Sequence, residues 1–266
     1  MKDLQGKTAL ITGGGTGIGL ALALQLAACG CNIIISSTNS ERLSAGAAQI
    51  RSASPNTQVL DIICDVSSRS SITALKSAIT AADLHVDILV CNAGVTTSGP
   101  YHQHRAQDWD WVYGVVLHGT TYCIQEFYPD MVTRRSGHIV INGSQAGMVP
   151  NWVSLHGPYT SAKAAVHALG AALRPEAAEY RVGVSTVVIA GTQTEIMKSE
   201  RSRPERFGEP LAVEVKKRAA RRIPPEDVAS QIVEGIKEDK GWVATHPDLK
   251  ERTKQYFDEI LAAYDH

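Results

Sequence analysis

The sequence lacks the charge excess and the long apolar runs that mark nucleic-acid-binding and membrane proteins. Its 266 residues carry 26 Lys and Arg against 27 Asp and Glu, a formal net charge of −1. No basic stripe with interleaved aromatics occurs, so we expect no nucleic-acid partner. Apolar runs are strand-sized or broken by polar residues, and Met1-Lys2-Asp3 leads into a strand rather than a signal sequence. We therefore expect a cytoplasmic protein with no membrane span.

Cysteines, metal-ligand clusters and linkers are scarce as well. The five cysteines are odd in number and lie in apolar segments, which favours reduced, buried thiols. Cys29 and Cys31 have no second pair, and His102 and His104 have no carboxylate or thiol partner at ligand spacing, so we predict no metal site. In the absence of repeats, low-complexity tracts and linkers, residues 1–266 are expected to form a single domain.

Strand-like and helix-like segments alternate along the whole chain. Hydrophobic residues make up 44% of it, enough for one large α/β core. The alternation predicts a doubly wound parallel sheet of about seven strands with helices on both faces. Two long helices, 108–133 and 159–180, are expected to flank one side. The predicted strands cover residues 8–12, 32–36, 59–64, 87–91, 138–142, 182–189 and 242–245.

A glycine-rich turn follows the first strand and opens a helix. Glycines allow tight backbone geometry and close approach of a diphosphate, and a helix N-terminus presents free N–H groups to it. A glycine run alone is compatible with a flexible turn, but this position favours dinucleotide binding. The residues assigned to the turn are Gly13, Gly15, Thr16, Gly17, Ile18 and Gly19.

Other candidate residues follow later strands. The carboxyl ends of parallel strands meet at one edge of the sheet, where ligands bind in such folds. We therefore expect these residues to lie close to the glycine turn. They are Asp65, Val66, Asn92, Ala93, Gly94, Ser144, Gly191, Thr192 and Thr194.

Tyr159 and Lys163 lie four residues apart, with Ser144 fifteen residues before Tyr159. On a helix this spacing puts both side chains on one face, where the ammonium can stabilise a phenolate. A phenol, with an ordinary pKa of about 10, needs such a charge to exchange protons near neutral pH. The spacing alone is also compatible with a lysine stem packed on an aromatic ring.

Taken in order, these motifs resemble the short-chain dehydrogenase/reductase family over essentially the whole chain. The resemblance is carried by Thr12-Gly13-x-x-x-Gly17-x-Gly19 (cofactor turn), Asp65-Val66 (adenine-contacting acid), Asn92-Ala93-Gly94 (sheet-stabilising motif), Ser144 and Tyr159-x-x-x-Lys163 (catalytic set). It implies a Rossmann-type fold and an NAD(P)-dependent oxidoreductase. It further implies that Tyr159 is the general acid/base, that Ser144 hydrogen-bonds the substrate oxygen, and that Lys163 binds the nicotinamide ribose and lowers the tyrosine pKa.

The chain departs from the family pattern at two points. Val116 stands where the family usually has an asparagine in the long helix before the catalytic strand. We expect the missing amide to slow proton relay without abolishing chemistry. After the sixth strand the family's Pro-Gly becomes Ala190-Gly191, with one residue fewer before Thr194, the expected diphosphate contact.

Cofactor choice depends on the end of the second strand, where an acid would bind the ribose 2′-hydroxyl of NAD. No acid occurs between Leu20 and Ser40. Ser37, Thr38 and Asn39 stand there instead and can donate to a 2′-phosphate, with Arg42 as the source of charge or, alternatively, a solvated helix residue. We therefore favour NADP(H), with NAD(H) as the alternative.

The substrate is less well defined. Residues 195–223 are expected to form a lid, and Trp152 and His156 to line the pocket. Eight basic residues lie between positions 201 and 222 against three acids, which suits either an anionic substrate or a solvated helix. The Asp108-Trp109-Asp110-Trp111 segment, the residues that follow Ser199 and a long C-terminal helix resemble bacterial Cα-dehydrogenases of lignin-type aryl ethers more weakly.

We therefore predict hydride transfer between a nicotinamide and a small-molecule ketone or secondary alcohol, hydrophobic or aromatic. A 3-oxoacyl thioester reductase is the rival within enzymes. A cofactor-binding sensor or scaffold with impaired chemistry is the rival outside them. The family resemblance also implies a homodimer or homotetramer, in agreement with the apolar surplus of residues 162–173.

Overall fold

Seven parallel strands form one sheet at the centre of the molecule. The computed structural model describes residues 1–211 and 221–265, except for the side chain of Trp152. The strands are β1 (Thr8–Thr12), β2 (Asn32–Ser37), β3 (Val59–Ile63), β4 (Ile88–Cys91), β5 (Gly137–Asn142), β6 (Val182–Val188) and β7 (Trp242–Ala244). Their order is β3-β2-β1-β4-β5-β6-β7, so it reverses between β1 and β4. The predicted Rossmann-type fold is confirmed, and each strand end lies within one residue of its prediction.

Helices cover both faces of the sheet. They are α1 (Gly17–Ala28), α2 (Ser40–Ala53), α3 (Arg69–Ala81), α4 (Ala106–Tyr113), α5 (Gly119–Arg134), α6 (Gln145–Met148), α7 (Gly157–Glu179), α8 (Pro225–Lys237) and α9 (Lys250–Leu261). None of the helices in the described parts of the chain is long and apolar enough to cross a membrane.

Side chains of β2 alternate between two hydrophobic cores, because successive residues of a strand point to opposite faces. Ile33 and Ile35 belong to the core under α1, α2 and α8, whereas Ile34 belongs to the other. The second core contains Trp111 of α4 and Val166 of α7. Both predicted long helical segments therefore lie on one side of the sheet, as expected.

The segment predicted as one helix over 108–133 contains a wider π turn, Gly114–His118, between α4 and α5. Val116 is buried at this turn, and its carbonyl accepts a hydrogen bond from Thr120 Oγ1 at 2.7 Å. A π turn of this kind often accompanies a functional site. Here it lies at the position where the family usually has asparagine.

Candidate active site

A cleft of about 500 Å³ lies at the carboxyl ends of the strands. Most residues assigned to the site from the sequence line it, although they come from distant parts of the chain. Asn39 and His156 are not among its lining residues, and the side chain of Trp152 lies outside the described part of the chain.

The glycine turn packs too closely for side chains at several positions. A Cβ on Gly13, which has a φ of 65°, would lie 3.1 Å from Asn92 Nδ2, and a Cβ on Gly19 would lie 2.4 Å from the Gly13 carbonyl oxygen. Thr16, the N-cap of α1, makes no side-chain capping bond. The first N–H groups of α1 are thus free of a side-chain cap beside the cleft, an arrangement that fits a diphosphate.

Amide side chains connect this turn to the centre of the cleft. Asn92 Nδ2 donates to the carbonyl oxygens of Thr12 at 2.8 Å and Gly13 at 3.2 Å, which fixes the orientation of its amide. Asn92 Oδ1 then accepts from Asn142 Nδ2 at 2.9 Å. Asn142 Oδ1 is buried without a partner among the described residues. The hydrogen bonds of Asn92 and Asn142 therefore end at the Asn142 side-chain oxygen, which lies near the residues predicted as catalytic.

Ser144, Tyr159 and Lys163 meet in the cleft, as the sequence predicts. Ser144 caps α6, with its Oγ accepting from the Ala146 N–H at 3.2 Å, and it lines the cleft together with Tyr159. Lys163 Nζ lies 5.7 Å from the centre of the Tyr159 ring and donates to the Asn142 carbonyl at 2.5 Å. The lysine is 5% exposed, so its charge is held inside the protein.

Burial controls the ionisation of these groups. Desolvation raises the pKa of Tyr159, and the hydrogen bond from Ser144 offsets only part of that rise. Desolvation also lowers the pKa of Lys163 to about 8. Desolvation and Ser144 are the causes of this shift and Lys163 is not among them, so its lowering of the tyrosine pKa stays a prediction. Tyr159 is a protonated phenol at neutral pH.

The end of β2 presents hydroxyl groups and one arginine to the cleft. Ser37, Thr38 and Arg42 line it, with no acid among them. Asn39, which the sequence assigned to the same site, is the N-cap of α2 and accepts from the Arg42 N–H at 2.8 Å. Its side chain therefore satisfies the helix end instead of facing the cleft.

Asp65, at the far end of the cleft, forms an ion pair that the sequence did not predict. Arg206 Nη2 donates to Asp65 Oδ2 at 2.8 Å and to Ser67 Oγ at 2.9 Å. Burial raises the pKa of Asp65, but hydrogen bonds from Ser67 and Arg206 outweigh burial and leave the pKa below its usual value. The segment predicted as the lid thus reaches the position predicted to contact adenine.

A second arginine anchors the same segment more deeply. Arg203 and Asp108 form an ion pair in which the side chains are 2% and 0% exposed. Arg203 also lies over the Trp111 ring, 4.9 Å from its centre, and donates to the Phe207 carbonyl at 2.9 Å. Arg105 completes the group by donating to Asp108. The Asp-Trp-Asp-Trp segment of α4 is therefore the attachment point of the lid.

His156 supports the loop after β4. Its Nδ1 lies 3.1 Å from both Thr96 Oγ1 and the Thr97 carbonyl, and burial lowers its pKa. The same loop holds the lid, because Thr96 exchanges two 2.9 Å hydrogen bonds with Ser199 Oγ. His156 therefore supports the loop beside the cleft and is not itself one of the residues that line the cleft.

Sequence reasoning missed several lining residues. They are Val95, Asn142, Met197, Ser199 and Arg201. Val95 directly follows an assigned motif and Asn142 ends a predicted strand, whereas Met197, Ser199 and Arg201 lie within the segment predicted as the lid. At the lid stem, the Ile223 N–H donates to the Gly191 carbonyl at 3.0 Å, which brings the two ends of the lid together. Residues 212–220 of the predicted lid lie outside the described residues.

A parallel sheet of this order, with a glycine turn at its carboxyl edge, defines the Rossmann-like α/β class. Within it, the model of the short chain dehydrogenase family matches residues 7–205, so the chain belongs to that family of oxidoreductases.

Two curated relatives and one solved structure illustrate the similarity. The chain is 28% identical over 270 residues to the C alpha-dehydrogenase of Sphingobium sp. (strain NBRC 103272 / SYK-6), covering 98% of this chain and 87% of that protein. It is 31% identical to the very-long-chain 3-oxoacyl-CoA reductase of Coccidioides immitis (strain RS), over 69% of this chain and 53% of that protein. A short chain dehydrogenase/reductase from Burkholderia phymatum in complex with NAD superposes with a TM-score of 0.90, at 28% identity and 99% and 97% coverage. The resemblance to Cα-dehydrogenases is thereby confirmed.

Proposed function

We propose that the protein is an NADP(H)-dependent oxidoreductase that interconverts a ketone and a secondary alcohol bearing a hydrophobic or aromatic group. The observation that carries the proposal is that Ser144, Tyr159 and Lys163 line one cleft, with Lys163 Nζ 5.7 Å from the centre of the Tyr159 ring. A nicotinamide dinucleotide bound there supplies or accepts the hydride. The glycine turn and the free N–H groups of α1 would hold its diphosphate.

Each side chain of the set then has one task. Tyr159 donates a proton to the carbonyl oxygen of the substrate during reduction and receives it back during oxidation. Ser144 donates a hydrogen bond to the same oxygen and fixes its position. Lys163 holds the ribose and stabilises the phenolate that remains after proton transfer.

The protonation states favour one direction at neutral pH. A protonated Tyr159 is ready to donate, which suits reduction, whereas alcohol oxidation begins with a phenolate. Because desolvation raises the pKa of Tyr159, the fraction of phenolate is small at neutral pH and increases as pH rises. We therefore expect oxidation to be faster in alkaline solution.

The preference for NADP(H) rests on the end of β2. Ser37 and Thr38 donate hydrogen bonds without adding negative charge, and Arg42 beside them offers a cation. The B. phymatum structure holds NAD, which keeps NAD(H) as the alternative. Arg42→Ala separates the two: it should weaken NADPH binding about tenfold and leave NADH binding unchanged, as expected for one lost charge-assisted contact. Equal changes for both cofactors would contradict the preference.

A hydrophobic substrate fits the described part of the lid better than an anionic one. Lys198 and Arg201 both pair with Glu195, at 2.8 and 2.5 Å. Arg203 and Arg206 are paired as well, so each basic side chain between 195 and 211 already contacts a carboxylate of the protein. The name of the Sphingobium relative favours an alcohol substrate, whereas that of the Coccidioides relative keeps the 3-oxoacyl thioester as a second candidate.

The test is a fluorescence titration with NADPH and NADH, followed by turnover with aryl ketones, aryl secondary alcohols and a 3-oxoacyl thioester. Tight NADPH binding with turnover of the aryl compounds is the expected result. Turnover of the thioester alone would favour the second candidate. Tight binding without turnover of any of them would favour a cofactor-binding sensor, and absence of binding would contradict the cofactor site.

A further inference from the structure

Helix α7 carries a third functional-type side chain in register with the two already described. Tyr159, Lys163 and His167 follow one another at intervals of four residues, so all three lie on one face of the helix. His167 is 6% exposed. Its Nε2 accepts a hydrogen bond from the backbone N–H of Ser144 at 3.1 Å. No sequence motif includes this histidine.

The backbone before Ser144 is shaped to admit the ring. A Cβ on Gly143 would lie 1.9 Å from His167 Nε2 and 2.8 Å from the Val187 carbonyl oxygen. Any other residue at position 143 would therefore displace the imidazole or the strand. The Trp242 ring packs edge-on against His167, with the two ring centres 5.7 Å apart. The imidazole of His167 is therefore packed closely between Gly143 and the ring of Trp242.

The chemistry of the contact fixes the state of the ring. A backbone N–H can only donate, so Nε2 must carry a lone pair and the proton must reside on Nδ1. Desolvation lowers the pKa of His167 to about 4, and the charge of Lys163 acts in the same direction. The imidazole is therefore neutral, and able to accept, at any ordinary assay pH.

Helix α7 thus holds the end of β5 at two points, one on each side of Gly143. Lys163 Nζ binds the Asn142 carbonyl at 2.5 Å, and His167 Nε2 binds the Ser144 N–H. We propose that His167 is a positioning residue: it fixes the backbone of Ser144, and with it the direction in which the serine hydroxyl meets Tyr159 and the substrate oxygen. This inference rests on the proposed function and adds a residue to it.

Two amide variants test the proposal against a purely structural role. The amide of a glutamine reaches the position of an imidazole Nε2, whereas the shorter asparagine reaches only that of Nδ1. His167→Gln should keep kcat for an aryl ketone within about threefold of wild type, and His167→Asn should lower kcat about tenfold, the size expected when a buried N–H loses its partner. Affinity for NADPH should be unchanged in both, because the cofactor-turn residues are untouched.

Equal activities of the two variants would overturn the proposal, since a residue that only fills space does not distinguish the position of an acceptor. A second readout does not need turnover. Long-range ¹H–¹⁵N NMR of histidine-labelled wild type, with His167 identified by its loss in His167→Gln, should show the Nδ1–H tautomer. An Nε2–H tautomer would overturn the proposal even if the protein were inactive. Absence of wild-type turnover together with the Nδ1–H tautomer would instead contradict only the proposed function.

Discussion

The floor of the cleft, residues 142–144 at the end of β5, and the described part of its predicted lid, residues 195–211, are held in place by different kinds of contact. At the floor, Lys163 and His167 of α7 bind backbone groups of Asn142 and Ser144, so the end of β5 is fixed against this helix. The lid is held mainly by ion pairs between side chains far apart in sequence. The floor is therefore fixed by backbone contacts, whereas residues 195–211 are attached mainly through side-chain charges.

The lid itself contains two different attachments. The Arg203–Asp108 pair is almost completely buried, whereas the side chains of Arg206 and Asp65 are 54% and 25% exposed. Breaking a buried pair leaves an uncompensated charge, but an exposed pair contributes little to stability. We call the Arg203–Asp108 pair the anchor and the Arg206–Asp65 pair, at the other end of the cleft, the latch. The following substitutions separate the floor, the anchor and the latch.

The largest effect is expected at the floor. Tyr159→Phe removes the proton donor and should lower kcat by about a thousandfold, within the range of general acid catalysis. NADPH affinity should change little. Tyr128→Phe is the control, because the Tyr128 hydroxyl on α5 hydrogen-bonds Glu176 of α7 and neither residue lines the cleft. Retained turnover in Tyr159→Phe, measured by NADPH consumption, would show that another group donates the proton.

The anchor is expected to affect stability. Asp108→Asn removes the buried carboxylate that pairs with Arg203 and leaves only the more exposed Glu200 as its countercharge, so the free energy of unfolding should fall by about 3 kcal/mol. Asp110→Asn, on the same helix but exposed, should cost far less. Urea unfolding measures both. Similar losses for the two variants would mean that the buried pair is not the anchor.

The pH dependence of reduction reports on the charge at the floor. Desolvation lowers the pKa of Lys163 to about 8, so the ammonium is present below that pH and is lost above it. Because the charge stabilises the phenolate formed by proton transfer, kcat for reduction should fall above about pH 8, by up to tenfold per pH unit. A kcat profile that stays flat well past this pH would exclude Lys163 as the source of the charge.

The smallest effect is expected at the latch. Arg206→Ala removes a pair that is largely exposed and should change the free energy of unfolding by less than about 1 kcal/mol. NADPH should dissociate faster, because Arg206 lies on Asp65 at the rim of the cleft. Stopped-flow displacement measures this rate. An unchanged dissociation rate would show that Arg206 does not close the cleft.

The difference between floor and lid also explains which features could be predicted from the sequence and which could not. Strand limits follow from local hydrophobic patterns, which is why β1 was placed correctly at Thr8–Thr12. Tyr159 and Lys163 share a helix face through simple periodicity. The Arg206–Asp65 pair spans 141 residues and leaves no local signal. Asn39 caps α2, a role that the sequence could not separate from phosphate binding, because a residue favoured at helix caps also suits a phosphate site.

The π turn at Val116 and the contact between His167 and Ser144 escaped prediction for a related reason. A π turn arises from packing between helices and has no period of its own in the sequence. His167 resembles an ordinary helix residue until Gly143 brings β5 against it. Both features depend on tertiary neighbours.

The central claim is that Tyr159 delivers a proton while hydride leaves a nicotinamide held in the same cleft. Its most direct test is a single turnover of protein saturated with NADPH and mixed with an aryl ketone, in wild type and in Tyr159→Phe. We expect rapid loss of NADPH absorbance in the wild type and almost none in the variant, with equal NADPH affinity. Equal rates in the two proteins would contradict it.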